Sequence, residues 1–170
     1  QRAYDLAAQM KNPNVSVTHS LDSLTQADLI VSATNDPEPF IRKEYIKPGT
    51  IIVDDSQPVN MTAYEAKESQ SLLLHPIGKT PEGVRRSFDF SLPEGTDFSC
   101  ALEVMILAAS DAQESYPHRT IGRLEDVDKV RQIAKLARRA GFDLAPLQSF
   151  GREISENEIN AIRHIRNTNS

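Results

Sequence analysis

Cysteine is nearly absent: Cys100 is the only one in 170 residues, so the chain closes no internal disulfide, which fits a reducing compartment. Positive charge is in deficit, 19 Lys and Arg against 24 Asp and Glu for a formal net charge of −5. A phosphate reader normally presents a concentrated basic surface, so no nucleic-acid partner is expected. No apolar run approaches the roughly 18 residues a membrane helix needs, and "LEVMILAA" falls far short. The opening "QRAYDLAAQM" lacks the basic-then-apolar pattern of a secretory signal. Together these absences point to a cytoplasmic protein with no stable membrane insertion. Paired His and Cys spacings suited to zinc are also missing, so no metal site is expected. Glycine is sparse: seven residues, scattered, none of them in the G-x-G-x-x-G turn that seats a pyrophosphate on a helix N-terminus.

What remains is an ordinary globular composition, 39% apolar and 25% charged, in a chain long enough to bury about two thirds of its unfolded surface. "QRAYDLAAQM" spaces Ala3, Leu6, Ala7 and Met10 as an amphipathic helix that begins without a cap. "VSVTH" reads as a short strand and "SLDSLTQ" as a brief helix capped by Ser20. Two continuous β-rich apolar runs follow, "ADLIVSAT" ended by Asn35-Asp36-Pro37 and "GTIIVDDS" ended by Gln57-Pro58. "SLLLHPIG" is a third, with helical "MTAYEAKES" before it. Continuous apolar runs suit strands covered on both faces, as in a parallel sheet. After about residue 78 the chain turns loop-rich, with "VRRSFDFSL" as an irregular strand or hairpin. Helices are then expected from about Phe98 to Ala112 and from about Leu124 to Ala140. The second has Leu124, Val127, Val130, Ile133, Ala134, Ala137 and Ala140 on one face, and Gly141 stops it. "SENEINAIRHIR" is expected to form a last short helix. The expected fold is α/β, a Rossmann-like parallel sheet lacking its first βαβ unit, with a mostly helical C-terminal extension. Because it starts inside a helix, the sequence reads as a fragment.

In open α/β sheets ligands bind at the carboxyl ends of strands. Ser32, Ala33 and Thr34 stand at one such end and Asp54, Asp55 and Ser56 at the next, small or polar residues that let a flat ring approach. The same residues equally suit ordinary strand-to-loop turns. Cys100 falls in the first turn of a helix if Asp97 or Ser99 is its N-cap. The partial positive charge there favours a thiolate, and Asp97 opposes it. A small buried hydrophobe is the other common fate of a free cysteine. His75 is either an acid or base near the same sheet edge or a packed residue after an apolar strand. Arg85-Arg86 and Arg138-Arg139 read as solvated faces.

In order, "ADLIVSATNDPEP", "YIKPGTIIVDDSQPVNM", "DFSCALEVMILA" and "IAKLARRAGFDLAPLQSFGR" resemble the C-terminal part of NADPH-dependent long-chain acyl-[acyl carrier protein] reductases of cyanobacterial type. The resemblance covers roughly residues 1–152. The two strand motifs are shared by shikimate dehydrogenases and glutamyl-tRNA reductases; the F-x-C-x-x-E-x-M-x-L pattern of Phe98, Cys100, Glu103, Met105 and Leu107 is narrower. The resemblance implies that Cys100 accepts the acyl group of an acyl carrier protein or acyl-CoA as a thioester, and that NADPH releases it as an aldehyde. With it go a cofactor edge at Ser32, Ala33, Thr34, Asp54, Asp55 and Ser56 and Cys100 as the nucleophile; His75, from its place near the sheet edge, is the second catalytic candidate. Residues 1–77 would then be the later part of a dinucleotide-binding domain, 78–152 a catalytic-cysteine extension, and 153–170 a polar tail. "DDSQP" is more acidic than that family suggests. Two other readings stand beside it: a shikimate or amino-acid dehydrogenase-like enzyme with a structural cysteine, and a degenerate, non-catalytic binding domain.

Overall fold

The computed structural model describes residues 1–85, 87–88, 90–110 and 127–168. Its elements are α1 (Arg2–Met10), β1 (Leu29–Ser32), β2 (Ile51–Asp54), α2 (Ala63–Glu68), β3 (Leu72–Leu74), β4 (Ile77–Lys79), β5 (Thr96–Phe98), α3 (Ser99–Ala109), α4 (Val127–Arg139), β6 (Asp143–Leu144), β7 (Gln148–Ser149), β8 (Arg152–Glu153) and α5 (Glu156–Thr168). Among the described residues no helix is long and apolar enough to cross a membrane.

The protein is mixed α/β. Strands β1, β2 and β3 form a parallel sheet in that order. Because side chains alternate along a strand, Ile30, Ile52 and Leu73 point to one face, where they pack with Ile41, Ile46, Met61 and Ala66. On the other face Ile51, Leu72 and Leu74 meet Ile154, Ile159, Ile162 and Ile165 around α5. The C-terminal helix therefore lies against the sheet. Its cover stops short of β1, where Leu29 and Val31 stay 58% and 67% exposed, so the continuous apolar run there is not buried on both sides as expected.

"VSVTH" is not a strand: among the described residues β1 pairs only with β2, and "VSVTH" does not add to its open edge. "SLDSLTQ" folds as a 3-10 helix over Leu21–Gln26, with Ser20 accepting the Asp22 N–H as its cap. "SLLLHPIG" does not continue as one strand. It breaks at His75-Pro76, where proline removes a donor and restricts the preceding residue, and its second half becomes β4 of an antiparallel sheet ordered β5-β4-β6. The described residues of 84–92 form no strand; Phe88, Phe90 and Phe98 instead contact one another in series, at 6.3 and 5.8 Å between ring centroids.

Helix α3 covers most of the run expected from Phe98; its N-cap is Phe98, with no side-chain capping bond, and not Asp97 or Ser99. Residues 111–126, with the expected ends of both long helices, lie outside the described residues. On α4, Ile133 is buried and Ala137 and Ala140 pack against α3, but Leu136 takes the place on that face expected of Val130, which is 52% exposed. Gly141 ends it with φ +83°, and the Phe142 N–H closes onto the Ala137 carbonyl at 2.9 Å. Gly78 on β4 lets α3 pack close, with Leu102 Cδ1 occupying the place a Cβ would take. That contact seats the helix bearing Cys100 directly on the sheet.

Candidate active site

Two pairings carry Cys100 to the end of the parallel sheet. The antiparallel register sets Ile77 opposite Phe98, and because α3 begins at the next residue its first turn starts beside Pro76. The Ser99 hydroxyl then donates to the Pro76 carbonyl at 3.2 Å, tying the first turn of α3 to the end of β3. The result is a small cleft of about 160 Å³ lined by Asp54, Asp55, Gln57, His75, Pro76, Phe98 and Cys100. Cys100 is exposed, so it is not the small core residue that the chain's single cysteine equally suggested.

The cleft wall is acidic, with two carboxylates and no Lys or Arg among its described residues. Asp54 is buried and committed: its carboxylate accepts the Ser56 N–H at 3.1 Å and the Asn60 N–H at 2.7 Å. Burial and then the Asp54 charge push the Asp55 carboxyl above the usual carboxylate range. Burial pushes the His75 imidazole below its ordinary value, with the Asp54 charge acting against it. Its Nδ1 accepts the Phe150 N–H at 3.3 Å.

Ser32, Thr34 and Ser56 are drawn together by Asn60, a residue with no solvent exposure. The Asn60 Nδ2 lies 2.6 Å from both Ser32 Oγ and Ser56 Oγ and 2.9 Å from Thr34 Oγ1. Thr34 Oγ1 also donates to Asn60 Oδ1 at 3.1 Å, and the Thr34 N–H donates to Ser56 Oγ at 3.0 Å. These hydroxyls knit the loops after β1 and β2 into one unit. Ala33 is exposed beside them, and the exposed Asp55 donates its N–H to the Ser32 carbonyl at 2.8 Å.

The expected site residues thus fall into two adjoining groups. Asp54, Asp55, His75 and Cys100 share the cleft; Ser32, Thr34 and Ser56 form the network behind it, joined through Asp54 and Asn60. Asn60 and Phe150 were not anticipated. An asparagine after Pro58 in a loop carries no signal beyond a turn, and Phe150 conceals a tight turn that Asn would have announced.

Fold and site together define a mixed α/β protein with an exposed cysteine and a histidine in a cleft at the carboxyl end of a small parallel sheet. Compared with known proteins, the chain matches no family model and no curated protein.

Proposed function

We propose that this chain belongs to a cytoplasmic, NADPH-dependent reductase that converts a fatty acyl thioester, carried by acyl carrier protein or CoA, to an aldehyde. The parallel sheet is then the later part of a Rossmann-like domain, in keeping with the resemblance of its motifs to the acyl-[acyl carrier protein] reductases. The observation that supports this reading is the placement of an exposed Cys100, in the first turn of α3, in one cleft with His75 and the end of β2.

Cys100 Sγ attacks the acyl carbon, a new C–S bond forms, and the bond to the carrier sulfur breaks. The proton given up by Cys100 reaches the departing carrier thiol through solvent, to which the cleft is open. The small exposed Ala33 and the exposed Thr34 and Asp55 leave room for the nicotinamide end of a cofactor at the ends of β1 and β2; no Gly-rich turn in the 170 residues suits its pyrophosphate. NADPH, when bound, supplies the hydride that turns the Cys100 thioester into an aldehyde and frees the thiolate. Phe98 and Pro76 give the cleft its apolar walls.

Incubation with a medium-chain acyl-CoA and no nicotinamide tests the first half of this chemistry. One acyl mass is expected on the peptide holding Cys100, and none in Cys100→Ala. Labelling that persists in Cys100→Ala, or no labelling of the wild-type chain by any thioester, overturns the proposal.

A further inference from the structure

Three contacts from the β7–β8 hairpin converge on His75. The His75 N–H donates to the Gln148 carbonyl at 2.9 Å. The Phe150 N–H donates to His75 Nδ1 at 3.3 Å. The Phe150 ring stands edge-on to the imidazole, 4.7 Å between centroids. A backbone N–H only donates, so Nδ1 presents its lone pair and the proton of the neutral ring sits on Nε2. Among the described residues the buried Nε2 has no hydrogen-bond partner, and His75 lines the same cleft as Cys100; an unpaired buried polar group gains most from a bound acceptor.

The hairpin reaches His75 through an unfavourable turn. Phe150 and Gly151 have φ of 49° and 73°, the pair of positive values that Asn-Gly or Asp-Gly meets far more readily than Phe. A bulky residue held in left-handed backbone points to a local role, and the contacts to the imidazole supply one.

With Nδ1 engaged and Nε2 protonated, the ring has no free lone pair with which to take a proton from Cys100. We infer, resting on the reading that Cys100 is acylated, that Phe150 is a positioning residue holding His75 as a neutral hydrogen-bond donor to the thioester carbonyl oxygen. His75 then acts by stabilising the charge that gathers on that oxygen and does not serve as a general base. A neutral imidazole used in this way is an attested pattern in other enzymes.

Two measurements on the full chain test this separately. Imidazole ¹⁵N spectra, with His75→Gln to assign the signals, should show Nε2 protonated and Nδ1 bare. In Phe150→Gly, which keeps the N–H that donates to Nδ1 but loses the ring that packs on the imidazole, the two shifts should keep their order while Cys100 acylation slows about tenfold; Phe150→Tyr should restore the rate. For the rate of Cys100 acylation by acyl-CoA, His75→Ala should lose about 10²–10³-fold, while His75→Gln, which keeps a donor but moves no proton, should stay within roughly tenfold of wild type. A protonated Nδ1, a full acylation rate in Phe150→Gly, or equal losses in the two His75 variants overturns the inference. Failure of every thioester to acylate wild-type Cys100 overturns the proposed function instead, and leaves the spectra to judge the hairpin's hold on His75 by themselves.

Discussion

Asn60 holds three hydroxyls, one from the end of β1 and two from the loops after β1 and β2, with one side chain, and its own backbone N–H fixes Asp54. Removing the amide leaves the buried Ser32 and Ser56 hydroxyls one partner short, with their own 3.2 Å contact and the Thr34 N–H remaining. A buried polar group left unsatisfied costs about 1–3 kcal/mol, so Asn60→Ala is expected to lose about 2–3 kcal/mol of stability. Single Ser32→Ala and Ser56→Ala changes, which remove acceptor and need together, should cost about 1 kcal/mol each. Urea denaturation measures this as a lower midpoint at unchanged slope. A loss in Asn60→Ala no larger than in the serine variants would mean that the existing contact between the Ser32 and Ser56 hydroxyls satisfies them without the amide. In the sequence, Ser32, Thr34 and Ser56 suit ligand contacts and loop formation equally. The partner that commits their hydroxyls to the loop lies 28 positions from Ser32 and 4 from Ser56, a separation no local pattern reports.

At the scale of elements, α5 shows a start signal that is both legible and testable. Ser155 and Glu158 form a capping box: the Glu158 N–H donates to Ser155 Oγ at 3.3 Å, and the Glu158 carboxylate accepts the Ser155 N–H at 3.0 Å. Arg152 adds a two-pronged pair to the same carboxylate at 2.7 and 3.0 Å. Arg152 first, and Ser155 after it, hold the Glu158 carboxyl down to about 2 from an ordinary 4.5. The unfolded chain therefore binds this proton more readily than the folded one. The stabilisation is complete above the unfolded value and is lost as pH falls from there through about 2. Glu158→Gln should flatten the acid loss of stability over that window, and Ser155→Ala should cost about 1 kcal/mol at neutral pH. Denaturation midpoints followed downward from neutral pH check both, and a Glu158→Gln protein as acid-sensitive as wild type would count against the pair. The tail helix, both long helices and the first two parallel strands were legible because capping, 3.6-residue spacing and continuous β-branched runs are local signals. The antiparallel sheet was not, since strands of two or three residues such as β4, β5 and β6 carry no periodicity. Only their pairing, through Ile77 and Phe98, brings Cys100 to His75. For "VSVTH" the failure ran the other way: its composition suits a strand, but it forms no ladder with the open edge of β1.

For the molecule as a whole, charge and cofactor geometry lead to one further expectation. Most dinucleotide binding energy comes from a pyrophosphate seated on a helix N-terminus behind a Gly-rich turn, with the adenosine ribose held by a charged residue beyond the next strand. The chain's seven glycines build no such turn, and its net charge of −5 gives a phosphate-bearing ligand no general attraction. At the carboxyl ends of β1 and β2 the hydroxyls of Ser32, Thr34 and Ser56 are taken up by Asn60. The adjoining cleft offers Asp54 and Asp55, with no Lys or Arg among its described lining residues. What is left for the cofactor is its nicotinamide end alone. Calorimetry of these 170 residues with NADPH is therefore expected to show a dissociation constant of about 1 mM or weaker, roughly −4 kcal/mol. Reduced nicotinamide mononucleotide, which lacks the adenosine half, should bind within a few-fold of it, because that half finds nothing to hold. Micromolar binding of NADPH, with the mononucleotide far weaker, would place a phosphate site on this chain that neither its glycines nor its strand ends account for, and the sheet would then have to be read as a complete cofactor platform.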